Sequence, residues 1–442
     1  MYMYTRLGSC SKQAHCNGEA IKESAPAINM SERRRGTKRK AAEQAEIKAK
    51  RAKGETDLSD DLKWEYQGEV IKGTCPLLLL GSKSLPGCTK AAGFDIDFTV
   101  IKTASGRKFA TGANDWEWWD ECVPEKLRDL HRQGFRVLFF TNQAGIEKLK
   151  VTPEEIKIKV EAIIKELDIP VMAFVCTGEN HYRKPSTLMW DFWEDNFNNG
   201  VKVDRSQCLY VGDAAGRAKE WSPGKPKDFS CSDRKFAANL GVKFQTPEEF
   251  FLGESPAKFS WLSADPATFL KGAKEAAKKS YHSLSPELAM MVGPPACGKS
   301  TFRKRFLESH GYVAVNRDTM GTVQKCAKAA KEALKAGKSV VVDNTNPSVT
   351  ARKEFLDIAK KAGVPCRCFV MATPLDLAHH LNYVRQIQTN ARVRRIPDVG
   401  YNVYKKNYEA PTKAEGFTEI INIDFAPKFD SDKDKTLFLQ WT

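Results

Sequence analysis

The segment Phe94-Asp95-Ile96-Asp97-Phe98-Thr99 places two carboxylates two residues apart at the end of the apolar run Ala92 to Phe98. In a regular strand both would point to the same side. Packing two acids into an apolar run is costly unless a cation or a reaction needs them. An ionised Asp95 beside Mg²⁺ can attack a phosphorus atom, and Asp97 can protonate the leaving oxygen and later activate water. Both are then candidate metal ligands as well. The ordinary alternative is a pair of aspartates that cap a loop, and three later segments weigh against it. Thr141 and Asn142 end the run Arg136 to Phe140 and could hold phosphate oxygens. Lys184, in Tyr182-Arg183-Lys184-Pro185, could neutralise phosphoryl charge. Asp213, after the strand Leu209 to Val211, would complete a Mg²⁺ shell.

A second constellation begins at Gly293-Pro294-Pro295-Ala296-Cys297-Gly298-Lys299-Ser300, which fits GxxxxGK[ST] between a strand and a helix. Glycines at Gly293 and Gly298 let backbone amides turn towards phosphate oxygens, and Lys299 reaches the β- and γ-phosphates of ATP or GTP. Ser300 should coordinate Mg²⁺, and Thr301 beside it is a further candidate for nucleotide binding. Asp343, after Val340-Val341-Val342, reads either as a turn former or as the carboxylate supporting Mg²⁺; its place after an apolar strand favours the second. Asp318, in Val315-Asn316-Arg317-Asp318-Thr319, reads equally well as a helix N-cap or as a base that takes a proton from an acceptor hydroxyl. Arg385 shares a helix with Asn382 and could clamp phosphates from a lid, although a solvated helix face is the plainer reading.

Positioning these groups requires strand ends. Helical patterns at 125–133 and from Thr152-Pro153-Glu154-Glu155, a capping box with proline at the first helical position, alternate with apolar runs at Arg136 to Phe140, Val171 to Cys176 and Cys208 to Val211. Such alternation predicts a parallel sheet with helices on both faces, which binds ligands at the carboxyl ends of its strands. After a Lys/Ala-rich linker at 271–279, runs at Leu288 to Val292, Val340 to Val342 and Arg367 to Met371 repeat the alternation without repeating the sequence. The expected class is α/β, with two doubly wound parallel-sheet domains at 63–270 and 271–442 behind a basic, disordered tail at 1–62.

The net charge of +15 over 442 residues suggests a polyanionic partner. No apolar run is long enough to span a bilayer, and the first residues lack the order of a secretory signal. Twelve scattered cysteines with no CxxC pair fit reduced thiols better than disulfides or zinc. Arg33 to Arg35 and Lys38 to Lys40, followed by Lys48, Lys50, Arg51 and Lys53, read as a bipartite nuclear localisation signal or as a basic arm on DNA. Trp116, Trp118, Trp119, Trp190, Trp193 and Trp221 follow the motifs, but core packing is the first expectation for each.

The order DxDxT, TNQ, RKP, GDAAGR, GPPACGKST, VNRDT and VVVDNTNP resembles the polynucleotide kinase 3′-phosphatase family, from Trp64 to near the C-terminus. The resemblance implies a haloacid dehalogenase-like phosphatase fused to a P-loop kinase, which remove 3′-phosphates and phosphorylate 5′-hydroxyls at DNA strand breaks, with Mg²⁺ and ATP as cofactors and DNA ends at nicks, gaps and double-strand breaks as partners, and nothing demanding a dimer. By the same likeness Asp95 is the nucleophile, Asp97 the acid/base and Asp318 the kinase base. Thr141, Lys184 and Asp213 take the phosphate and Mg²⁺ positions, with Asp233 supporting the metal. Three features depart from the family. Residues 1–62 stand where vertebrate members carry a forkhead-associated domain for phosphorylated scaffolds. Phe98 stands where glycine is usual, a strained choice if the backbone there is left-handed. The stretch Ala144 to Lys150 lacks the Arg-Gly common in relatives. Competing readings are a scaffold that binds DNA ends without phosphatase chemistry, and a fused pair of small-molecule enzymes.

Overall fold

The computed structural model describes residues 62–70, 74–271 and 280–442. The basic tail, its nuclear signal and most of the Lys/Ala linker lie outside the described residues.

Nine short strands form in the first half. They are β1 (Lys63–Gln67), β2 (Leu77–Gly81), β3 (Ala91–Phe94), β4 (Ile101–Lys102), β5 (Glu117–Trp118), β6 (Arg136–Asn142), β7 (Val171–Cys176), β8 (Leu209–Val211) and β9 (Lys243–Gln245). Seven of them build one sheet in the order β1-β2-β7-β6-β3-β8-β9, while β4 and β5 pair separately. β7, β6, β3, β8 and β9 run parallel, but β2 pairs antiparallel with β7 and β1 with β2, so the all-parallel expectation fails at this edge. Alternation along β6 divides the core in two. Val137 and Phe139 enter one apolar cluster with α1 (Val123–Arg132) and α2 (Pro153–Leu167); Leu138 and Phe140 enter the other with α3 (Leu188–Phe197) and α4 (Ser232–Leu240). The capping box forms as the sequence suggests: Thr152 Oγ1 accepts from the Glu155 amide at 3.2 Å, and Glu155 accepts from the Thr152 amide at 2.7 Å. Trp190 and Trp193 are buried in the core, in line with the plainer reading.

The second half has a five-stranded, wholly parallel sheet of β10 (Leu288–Val292), β11 (Val313–Val315), β12 (Val340–Val342), β13 (Cys366–Met371) and β14 (Glu419–Ile423), in the order β11-β12-β10-β13-β14. Its helices are α5 (Lys299–Phe306), α6 (Arg317–Met320), α7 (Val323–Lys335), α8 (Val349–Ala362), α9 (Leu375–Gln388), α10 (Asp398–Asn407) and α11 (Asp432–Phe438). β10, buried at every residue, is central, and its two neighbours lead away in opposite directions. This is the switch point at which doubly wound sheets bind ligands. Among the described residues, no helix is long and apolar enough to cross a membrane. All ten described cysteines are free thiols.

The halves meet through α9 and the C-terminal residues. Gln386 Nε2 donates to the Glu179 carbonyl at 2.8 Å, and Arg395 pairs with Glu179 at 3.2 Å. Asn239 on α4 exchanges hydrogen bonds with the Trp441 backbone at 2.7 and 3.0 Å, and Trp441 stacks on Trp261 at 4.2 Å. The last residues thus pack on the first half rather than on the sheet that precedes them. His380 belongs to this seam: its Nε2 lies 2.7 Å from the Phe438 carbonyl, and burial pushes its pKa down to about 4. The unfolded chain therefore binds a proton at His380 below pH 6.5 that the folded chain refuses. The contribution is complete above pH 6.5 and fades as pH falls towards 4, by on the order of 3 kcal/mol. Thermal unfolding from pH 7 to 4.5 should show a steeper decline for the parent chain than for His380→Gln.

Candidate active sites

β3 ends at Phe94, whose register partners are Phe139 on β6 and Val211 on β8. Asp95 therefore starts the loop beyond the strand, anchored by its amide on the Val211 carbonyl at 2.9 Å. The same register brings Thr141 and Asp213 to the strand ends on either side. Lys184 is 3% exposed, and its ammonium meets Asp95 Oδ1 at 2.7 Å, Asp233 Oδ1 at 2.7 Å, the Phe140 carbonyl at 2.7 Å and the Tyr210 hydroxyl at 2.8 Å. Burial works against its charge, but Asp233 and Asp95 outweigh that and hold its pKa above the ordinary lysine value. Each of Asp95, Asp213 and Asp233 offers an oxygen, and these lie within 4.8 Å of one another. Burial pushes Asp95 up to about 7, with Lys184 opposing and Asp233 adding to the rise. Asp213 is raised well above the carboxylate range by burial and by the charges of Asp95 and Asp233. Three crowded acids with one lysine among them carry excess negative charge, and a divalent cation on those oxygens would relieve it. The donor set fits Mg²⁺.

Gly212 makes this crowding sterically feasible, because a Cβ there would sit 2.5 Å from the Asp233 carboxyl. Thr99 Oγ1 accepts from the Asp213 amide at 3.0 Å, so the threonine of DxDxT sets the loop that carries Asp213.

Two site expectations need correction. The Asp97 carboxylate stands outside the three-acid group: Lys159 reaches Oδ1 at 2.9 Å and Gln143 reaches Oδ2 at 2.6 Å. Leaving the strand at Phe94 ends the same-side alternation, so the two aspartates diverge. The Asn142 side chain is engaged at both ends by the Lys184 backbone, at 3.0 and 3.3 Å; it holds the loop that carries the lysine and is not free for phosphate. Thr141 is buried beside it and accepts from Gln143 at 2.9 Å.

Phe98 is left-handed, with φ of 61°, and 40% exposed. A side chain in that region costs roughly 1–2 kcal/mol. Phe98→Gly should accordingly raise the stability of the first half by about 1 kcal/mol, read by thermal unfolding. A lower melting temperature would mean that the ring's packing outweighs the strain.

In the second half, Gly298 immediately precedes α5 with a φ of 94° and offers no side-chain cap, leaving the helix N-terminus open to an anion. A Cβ on Gly293 would meet Cys297 Sγ at 2.7 Å. Lys299 Nζ is held over its own loop by the carbonyls of Gly293 and Pro294 at 3.0 and 2.6 Å. Ser300 Oγ donates to Asp343 Oδ2 at 2.8 Å, and Arg303 approaches the same oxygen at 3.0 Å. Asp343 Oδ1 is buried without a hydrogen-bond partner among the described residues. A bare buried carboxylate oxygen beside Ser300 fits Mg²⁺. Thr301 is exposed on the first turn of α5. At α6 the N-cap is Asn316, which accepts from the Asp318 amide at 2.7 Å; the capping alternative for Asp318 is thereby removed, and its carboxylate is exposed. Arg385 is half-buried on α9 and bonds Asn382 at 2.8 Å.

Sequence reasoning missed Lys159, Gln143, Tyr210 and Arg303. Gln143 had a signal, since it adjoins Thr141-Asn142. Lys159 had only the oddity of a lysine on the apolar side of α2.

A mainly parallel sheet with Asp95 and Asp213 at adjoining strand ends, and Lys184 reaching in from the loop beyond β7, forms a phosphatase site, and the glycine loop from β10 into α5 forms a P-loop kinase site. Residues 90–251 match the polynucleotide kinase 3 phosphatase family and residues 288–411 the AAA domain family. The chain is 38% identical to the bifunctional polynucleotide phosphatase/kinase of Schizosaccharomyces pombe, over 76% of this chain and 80% of that one. It is 31% identical to a protein of Acanthamoeba polyphaga mimivirus to which the same pair of activities is assigned, over 86% and 94% of the two chains. Against the polynucleotide 3′-phosphatase of Arabidopsis thaliana, identity is 31% over 52% of this chain and 32% of that protein. The chain belongs to the bifunctional polynucleotide phosphatase/kinase family, and it is an enzyme with one phosphatase and one kinase domain.

Proposed function

We propose that this enzyme makes broken DNA ligatable, removing a 3′-phosphate at the first site and phosphorylating a 5′-hydroxyl at the second. The observation that carries the reading is the pairing, in one chain, of the Asp95–Lys184–Asp233 array with the Ser300–Asp343 pair behind a P-loop.

At the first site an Asp95 oxygen attacks phosphorus and the P–O3′ bond breaks. Asp97 gives its proton to the departing O3′, leaving a phosphoaspartate on Asp95. The Asp97 carboxylate then takes a proton from water, whose oxygen attacks phosphorus and breaks the P–O bond to Asp95. Inorganic phosphate leaves, and both aspartates return to their starting states. Lys184 holds Asp95 in place and offsets phosphoryl charge. Mg²⁺ on Asp95, Asp213 and Asp233 would supply further positive charge to the phosphoryl oxygens. At the second site Asp318 takes the proton of the 5′-hydroxyl as its oxygen attacks the γ-phosphorus of ATP and the bond to ADP breaks. Lys299 and Arg385 bind phosphate oxygens, and Ser300 with Asp343 would hold Mg²⁺.

DNA suits the charge of +15. The Lys108 ammonium also lies 5.7 Å from the ring centre of Phe109 and 5.4 Å from that of Phe229, two exposed phenylalanines on loops that follow the Asp95 and Asp213 segments. Aromatic faces beside cations suit unpaired bases. The basic clusters at 33–53 support a nuclear location.

The test is ligation. A nicked duplex with 3′-phosphate and 5′-hydroxyl, treated with the enzyme, Mg²⁺ and ATP, should become a substrate for DNA ligase. If it stays unsealed while free nucleotides are turned over, the small-molecule reading replaces this one.

A further inference from the structure

We propose that Lys159 is a positioning residue for phosphatase turnover, acting with Gln143 to hold the Asp97 carboxylate in its working orientation. The inference rests on the phosphoaspartyl reading and deepens it.

Lys159 lies on α2 between the core residues Ile156, Val160 and Ile163, and is only 5% exposed. Lysines are rarely buried unless paired, since desolvating an ammonium is costly. Here the partner is a single carboxylate oxygen, Asp97 Oδ1, at 2.9 Å. The capping box at Thr152 fixes where α2 begins and hence where Lys159 falls along it. The other oxygen, Oδ2, takes the Gln143 amide at 2.6 Å, and Gln143 is steadied by Thr141 Oγ1 at 2.9 Å. Two elements from different parts of the chain thus converge on the two oxygens of one acid. That acid remains 38% exposed at its side chain, so solvent still reaches it.

The chemistry explains why such a cradle is needed. Asp97 hands a proton to O3′ and then takes one from water, at nearly the same point in space. A carboxylate on a loop beyond its strand would otherwise sample several rotamers, and misplacement by about 1 Å can cost on the order of 10²-fold in rate. Gln143 alone would fix one oxygen and leave the acid free to swing about it. Lys159 supplies the second point.

The experiment compares Lys159→Met, Lys159→Arg and the parent chain, with the kinase activity of each preparation as the control for folding. On a 3′-phosphorylated oligonucleotide, Lys159→Met should lose about 10²-fold in kcat with KM little changed. On p-nitrophenyl phosphate, whose leaving group needs no proton, it should release about one equivalent of nitrophenolate quickly and then turn over slowly, because water activation still needs an oriented Asp97. Lys159→Arg should regain most of the lost rate. An unchanged kcat, a defect carried entirely by KM, or a loss shared equally by the kinase would overturn the assignment. Asp95→Asn separates the two layers: if that variant keeps phosphatase activity, the phosphoaspartyl reading itself fails, whereas a dead Asp95→Asn beside a fully active Lys159→Met sinks the positioning role alone.

Discussion

Lys184→Met should abolish phosphate release and also loosen the first half of the molecule. Lys184 is the cation among Asp95, Asp213 and Asp233, and it donates to the Phe140 carbonyl and the Tyr210 hydroxyl as well. Methionine preserves the volume and removes the charge and the donors. Breaking a buried pair by deleting one partner costs about 3–5 kcal/mol, because the other charge stays behind. Protonating the stranded acids would soften this loss. Asp95 and Asp213, already raised by burial in the parent chain, would rise further without the lysine, so the remaining stability should fall as pH rises. In EDTA the gap in melting temperature between the variant and the parent chain should widen from pH 6 to pH 8.5. A gap that narrows over this range would show that the acids are not stranded, and the electrostatic account of the cluster would be wrong.

The second large effect belongs to the kinase half. Arg352 on α8 is 0% exposed and uses its whole guanidinium. Nε and Nη2 grip Glu415 at 2.7 and 2.9 Å, while Nη1 donates to the carbonyls of Asn346, Pro347 and Glu409 at 3.3, 3.2 and 2.9 Å. Two of those carbonyls belong to the loop that leaves Asp343, so Arg352 fastens the segment behind the carboxylate that Ser300 contacts. Arg352→Met would strand Glu415 and three carbonyls, a loss of about 3–5 kcal/mol. Kinase activity should disappear on heating well before phosphatase activity does, and the parent chain should show a smaller separation. Equal inactivation temperatures for both activities in the variant would mean that the halves unfold together.

The sequence reveals the architecture where periodicity and turn chemistry are local. The capping box at Thr152, the strand Val171–Cys176 and the passage from β10 through the glycine loop into α5 all follow from short-range pattern. The antiparallel edge of β1 and β2 does not, because four consecutive leucines in β2 carry no mark of direction. The residues of the sites are readable as types, but their pairings are not. Asp95 and Lys184 are 89 positions apart, Lys159 and Asp97 62, and only the register of β3 against β6 and β8 brings their loops together. The same limit explains Asn142 and Asp97. An amide after a strand and a second acid in DxD look like phosphate and metal groups, until the Lys184 loop and α2 supply competing partners. Phe98 is the converse case: the conformational expectation attached to its position is met, and the left-handed φ is observed with a phenylalanine in place.

If one chain holds two chemically separate sites, mass spectrometry of both strands of a nicked duplex carrying 3′-phosphate and 5′-hydroxyl will show two separable reactions. With Mg²⁺ and ATP the parent chain should remove one phosphate from the 3′ strand and add one to the 5′ strand. Asp95→Asn should keep only the gain, Asp318→Asn only the loss, and an equal mixture of the two variants should restore both. If either single variant loses both reactions, or if the parent chain adds the 5′-phosphate and never removes the 3′-phosphate, the account of two independent sites is contradicted.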